Sequence, residues 1–118
     1  MYFLEGKKFI MDLAIEKTYN GNNWQVKLCG EIDIVNSAEF KSQLTNLIEE
    51  HVADIHIDCT GLEYIDSTGL GALVGILKNT KSHGKEVRLS FVKPNILKLF
   101  RITNLDKVFI IEEGDKDE

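Results

Sequence analysis

The residues best placed to do chemistry fall in one stretch, YIDSTGLGALVGILK, Tyr64 to Lys78. Ser67 and Thr68 follow Asp66 where an amphipathic helix should begin. Leu70, Leu73, Val74 and Leu77 recur there at the i, i+3, i+4, i+7 spacing of one buried face. Free amides and the helix macrodipole at such a terminus stabilise a phosphate dianion, so Ser67 is a good place to install phosphate. The plainer role for its hydroxyl is an N-cap satisfying orphan amides. Asp66 would oppose added negative charge. Asp33, at the end of another strand pattern, would extend a small acidic rim or help cap the helix after it. Glycines complicate the helix: Gly69 falls in its first turn, whereas Gly71 and Gly75 are interior, where each costs roughly 1 kcal/mol against alanine. Thr68, Gly71, Ala72 and Gly75 share one helical face. That small-residue face either lets the helix lie close to its own sheet or a neighbouring helix, or lets a partner protein approach Ser67.

Enzymatic readings find little to stand on. Gly69, Gly71 and Gly75 make GxGxxxG, one residue too long for the dinucleotide fingerprint, and no acidic residue at the expected offset completes it. His83-Gly84-Lys85-Glu86 lacks the Ser/Thr of a Walker A loop, and Ser67 is not in GxSxG. His51, His56 and His83 belong to a helix end, a strand and a helix C-terminus, so none is an evident general base. The expectation is a protein with no catalytic residue, no cofactor and no metal.

Charge narrows the partners. The net charge is −5, but the run 112–118, with five acidic residues and one lysine, carries −4 of it, leaving 1–111 near neutral. No basic stripe exists to follow a phosphate backbone, which argues against nucleic acid. No apolar run approaches the roughly 20 residues of a membrane helix and no signal peptide is visible, so the expected setting is the cytoplasm, off the membrane. Cys29 and Cys59 have no metal-site spacing and read as buried reduced thiols.

The elements that must position these residues follow from periodicity. One domain is expected over 11–111, with 1–10 as an N-terminal extension (Met11 is a second candidate start) and 112–118 as an acidic tail. Leu13 and Ile15 begin one alternating strand. Asn20, Gly21, Asn22 and Asn23 make a hairpin turn, and Trp24, Val26 and Leu28 alternate with Gln25, Lys27 and Cys29. Two more strands run through Ile55, Ile57 and Cys59 and through Val87, Leu89 and Phe91, and a fifth covers 108–111. Asn36 with Glu39 resembles a capping box opening a helix that buries Phe40, Leu44, Leu47 and Ile48. The second helix opens at Ser67 or Thr68 and ends near Gly84; a short third follows Pro94. Because the strands alternate, helices should cover one face only, unlike a doubly wound nucleotide-binding sheet. Parallel crossovers then gather the loops at 30–33, 64–69 and 93–95 at one sheet edge. The fold class is α/β, a mixed sheet of about five strands with helices on one face.

Gly30-Glu31-Ile32-Asp33, the loop Asp66-Ser67-Thr68-Gly69-Leu70-Gly71 and the segment Leu99-Phe100-Arg101-Ile102-Thr103-Asn104-Leu105 resemble bacterial anti-sigma factor antagonists, single STAS domains of the general-stress and sporulation type. Asn104 stands where such sequences commonly have glycine. The resemblance implies a STAS fold and a partner-switching role in transcription regulation. An unphosphorylated antagonist binds an anti-sigma factor that is also a serine kinase, releasing a sigma factor. Phosphorylation of the loop serine, here Ser67, breaks the complex, and a PP2C-type phosphatase restores it. On that carry-over Asp33, Asp66, Ser67, Thr68, Gly69, Gly71 and Gly75 form the partner-binding surface. The competing readings are a STAS scaffold module of a stress-signalling complex and a small nucleotide-binding protein.

Overall fold

Residues 4–112 are described in the computed structural model of the chain. They form one six-stranded sheet in sequential order, β1 (Leu4–Ile10), β2 (Leu13–Tyr19), β3 (Trp24–Ile32), β4 (Ile55–Ile65), β5 (Val87–Ser90) and β6 (Ile110–Glu112). The first three strands pair antiparallel, and β3 to β6 pair parallel. Each parallel step is bridged by a helix: α1 (Ser37–Glu50), α2 (Ser67–Ser82) and α3 (Pro94–Ile102), the last followed by a 3-10 turn at Leu105–Lys107.

Period-two alternation decides which face is covered. Trp24, Val26 and Leu28 are buried, while Gln25, Lys27 and Cys29 point to the open face. The buried set continues through Ile15, Ile57 and Leu89 on neighbouring strands and meets Phe40, Leu44 and Leu47 of α1, Leu73 and Ile76 of α2 and Phe100 of α3. Helix α2 ends as its glycine predicts: Gly84, at φ 77°, donates to the Lys81 carbonyl, and Lys85 donates to Thr80. These two bonds are a Schellman motif, whose left-handed residue favours glycine.

Several expectations need correction. The sheet has six strands because Leu4–Ile10, within the stretch set aside as an extension, pairs along β2. Adjacent Lys7 and Lys8 break its alternation, and an edge strand tolerates that. β4 runs past Cys59 to Ile65 through a register shift. There Asp58 accepts from the amide and hydroxyl of Thr60, and a Cβ on Gly61 would lie 2.8 Å from the Leu28 carbonyl oxygen. Cys29 is exposed, on the open face with Gln25 and Lys27; only Cys59 is buried. In α2 the core face includes Ala72 and Ile76, while Val74 is half-buried. The last strand is Ile110–Glu112, and Glu112 pairs with Arg88 at 3.4 Å, so it is not tail. The rest of the expected tail lies outside the described residues.

Candidate functional site

The site is built where β3 and β4 end side by side. Ile32 pairs with Ile65, and the Asp66 amide donates to the Ile32 carbonyl at 3.2 Å. Asp33 and Asp66 therefore leave adjacent strands at the same edge, as the crossover topology requires. Asp33 organises its own loop: Oδ1 accepts from the amides of Val35 (3.0 Å) and Asn36 (3.3 Å), and its carbonyl accepts from Ser37 at 2.9 Å. The capping box expected from Asn36 and Glu39 does not form, because the Asn36 side chain turns away from its helix.

Asp66, not Ser67, caps α2. Its Oδ1 accepts from the Gly69 amide at 3.0 Å and from the Thr68 hydroxyl at 2.6 Å. The Thr68 hydroxyl first and the Gly69 amide second hold the Asp66 carboxyl below its ordinary pKa; desolvation acts the other way, and the amides of Thr68 and Ile34 add smaller lowering effects. These bonds favour the charged form. Ser67 is left as the first residue of the helix, exposed, with no side-chain hydrogen bond among the described residues. A hydroxyl there is free to react, whereas that of Thr68 is occupied and half-buried.

The three glycines prove to be three different environments. A Cβ on Gly69 would lie 2.6 Å from Ile65 Cγ1 and 2.9 Å from Ile32 Cγ2, so its role is close approach of the helix to the strand ends. A Cβ on Gly71 would meet nothing within 4 Å. Gly75 lies under the Lys41 side chain of α1, whose Cε would be 2.6 Å from a Cβ. The small-residue face is thus not one surface: Ala72 is in the core, Gly75 is covered, and only Gly71 lies open near Ser67.

Around Ser67 the edge carries exposed apolar side chains that sequence reasoning missed: Ile34, Val35, Tyr64 and Met11. Ile34 and Val35 had a signal, being apolar residues between a strand end and the first buried helical position. Asp12 and Glu31 also bring carboxylate oxygens within 4.8 Å of Asp33 and of each other, which enlarges the acidic rim. Among the described residues no helix is long and apolar enough to cross a membrane.

Fold and site together define a class: a small mixed α/β module that offers an unengaged serine at a helix start, framed by carboxylates and apolar side chains. Residues 14–116 match the STAS domain model, and the chain belongs to the STAS domain family. Within it, the chain is 35% identical over 108 residues to the anti-sigma-B factor antagonist of Staphylococcus aureus, covering 92% of this chain and 100% of that protein. The corresponding protein of Staphylococcus epidermidis is 33% identical over the same share. A crystal structure of a putative anti-sigma factor antagonist from Thermotoga maritima superposes with a TM-score of 0.67 at 25% identity, covering 94% of this chain and 86% of that one. Unphosphorylated SpoIIAA, also an anti-sigma factor antagonist, shares the fold with a TM-score of 0.64 at 14% identity, covering 97% of this chain and 92% of that one.

Proposed function

We propose that this protein is an anti-sigma factor antagonist controlled by phosphorylation of Ser67. Unphosphorylated, it binds an anti-sigma factor that is also a serine kinase, and the sigma factor is released. That kinase transfers the γ-phosphoryl group of ATP to Ser67 Oγ, the hydroxyl proton leaving to base or solvent, and the complex comes apart. A PP2C-type phosphatase hydrolyses the phosphoserine and restores binding. The observation that carries the reading is the division of labour at the start of α2, where Asp66 takes the capping role and leaves the Ser67 hydroxyl exposed and unpaired. The similarity to curated anti-sigma-B factor antagonists over nearly the whole chain supports the choice of partner.

Phosphate on Ser67 adds about −1.5 to −2 charge. At a helix N-terminus that charge is locally favoured by about 0.3–1 kcal/mol, so the fold has no reason to change. In a docked interface the same group would lose water beside Asp66 and Asp33, and like-charge juxtaposition there costs several kcal/mol. Each 1.4 kcal/mol is tenfold in affinity, so part of that penalty suffices for release. The test incubates the protein with its cognate anti-sigma factor and ATP, followed by intact mass and peptide mapping. One phosphate on Ser67 is expected, with loss of complex. A Ser67→Ala protein phosphorylated to the same extent would refute the assignment.

A further inference from the structure

Two polar side chains are fully buried among the described residues, Thr80 and Asn36. Thr80 bonds within its own helix, to the Ile76 carbonyl. Asn36 reaches out of its helix. Its Oδ1 accepts from the Asp33 amide at 3.0 Å, and Nδ2 donates to the carbonyls of Met11 at 2.6 Å and Glu31 at 2.9 Å. Helix initiation does not need those last two bonds, since Asp33 already satisfies the first amides of the loop and of α1. What they do is fasten the two-residue turn between β1 and β2, Met11 and Asp12, to the loop that leads into α1.

The turn is clamped a second time. The Glu31 amide donates to the Asp12 carbonyl at 2.9 Å. Gly30, at φ 121°, lies so close that a Cβ would stand 2.1 Å from that carbonyl oxygen. The strand that leads into the loop is bonded in turn to the start of α2, through the Asp66 amide on the Ile32 carbonyl at 3.2 Å. Turn, loop and serine are therefore one bonded body. On its surface stand Ile34 (74% exposed), Met11 (66%) and Val35 (65%). No lysine or arginine among the described residues forms a salt bridge with the carboxylates of Asp12, Glu31 and Asp33 that rim them.

We propose that Asn36 is a positioning residue for partner recognition: it holds the turn at Met11 and Asp12 beside the Ser67 loop, so that Met11, Ile34 and Val35 form one preorganised apolar face for the anti-sigma factor. The identity of that partner rests on the reading of Ser67 given above. The charge pattern calls for a matching surface that is apolar at its centre and carries lysine or arginine at its rim. Fixing the turn before docking removes its ordering cost from binding, which is how a residue that never touches the partner can govern affinity.

Asn36→Ser keeps a hydroxyl beside the Asp33 amide but is too short to reach the Met11 and Glu31 carbonyls. Met11→Ser removes an exposed apolar side chain and leaves the tie intact. Affinity for the cognate anti-sigma factor kinase, and KM and kcat for phosphorylation of Ser67, are measured well below each variant's melting temperature. Met11→Ser and Asn36→Ser should each weaken binding about tenfold, equivalent to 1.4 kcal/mol. The double variant should bind no more weakly than Asn36→Ser alone, the non-additivity of residues that act as a unit. Asn36→Ser should raise KM about tenfold and leave kcat unchanged; because this protein is the kinase's substrate, loss of folded protein raises apparent KM only by the inverse of the folded fraction, which circular dichroism at the assay temperature measures. Wild-type affinity in Met11→Ser, which cannot fail for want of folding at so exposed a position, overturns the proposal. So does wild-type affinity in folded Asn36→Ser. If the unaltered protein does not bind the anti-sigma factor at all, the Ser67 reading itself fails and this proposal falls with it.

Discussion

Gly71→Ala separates what α2 needs for folding from what it offers to a partner. Gly71 is the fifth residue of a sixteen-residue helix and is exposed. A methyl group there would meet nothing within 4 Å. No native contact opposes the substitution, so its effect on stability is the helix-propensity difference, a gain of about 0.8–1.0 kcal/mol. For a chain of this length that raises Tm by about 3–5 °C. The same change at Gly69 would drive a Cβ into Ile65 and Ile32, and at Gly75 it would displace the Lys41 stem. Gly71 alone has no structural reason to be glycine.

If the partner's backbone approaches the start of α2, the added methyl overpacks that contact. Overpacking in close-packed surroundings costs about 1–3 kcal/mol, a loss of roughly 5- to 150-fold in affinity. Thermal and urea unfolding followed by circular dichroism give the stability arm, and calorimetric titration with the anti-sigma factor gives the binding arm. A higher Tm with undiminished affinity would refute the close-approach reasoning. A lower Tm would refute the claim that this face of α2 is open.

Two further outcomes follow from backbone and burial. Asn104 sits at φ 62°, ψ 17°, just after α3, in the left-handed region where glycine has no Cβ penalty; Asn104→Gly should raise stability by up to about 1 kcal/mol in urea unfolding. The Cys59 thiol is pushed up to about 12, by burial first and by Asp58 second, with Lys93 acting the other way. Above the ordinary thiol value of 9.0 the unfolded chain binds fewer protons than the folded one, so stability should fall as pH rises from about 9 towards 12, by up to about 1.4 kcal/mol per pH unit. Unfolding curves of Cys59→Ala should lack that component, while a thiol reagent at mild alkaline pH should modify exposed Cys29 and spare Cys59 until the protein unfolds.

What the sequence made legible was local and periodic. The alternation of Trp24, Val26 and Leu28 with Gln25 and Lys27 fixed the covered face, and Phe40, Leu44, Leu47 and Ile48 are buried as their spacing requires. The same parity already placed Cys29 on the polar side, so reading it as buried followed residue type against pattern. β1 was hidden because an edge strand with one neighbour need not alternate. Gly75 and Asn36 were illegible for a different reason: the Lys41 stem and the Met11 carbonyl that define their roles arrive from 34 and 25 residues away. Local propensity holds no trace of such contacts.

If Ser67 is the phosphoacceptor, as proposed, the start of α2 keeps it available without leaving the helix uncapped. A helix needs an acceptor for its first amides, and a serine placed at the cap would have its hydroxyl drawn into that duty. Setting aspartate one position earlier moves the duty to a group that cannot itself be phosphorylated by a serine kinase. The same carboxylate engages the Thr68 hydroxyl at 2.6 Å, so of two adjacent hydroxyls only that of Ser67 is unengaged. Asp66 then has a third consequence. It is charged at neutral pH and already bonded to the Thr68 hydroxyl and the Gly69 amide, so it has little capacity to reorganise around a new phosphate. A phosphate on Ser67 is tolerated in water, where the repulsion is screened, and opposed in a dry interface, where it is not. One residue thus caps the helix and, in the proposed switch, selects the acceptor and sets its sign.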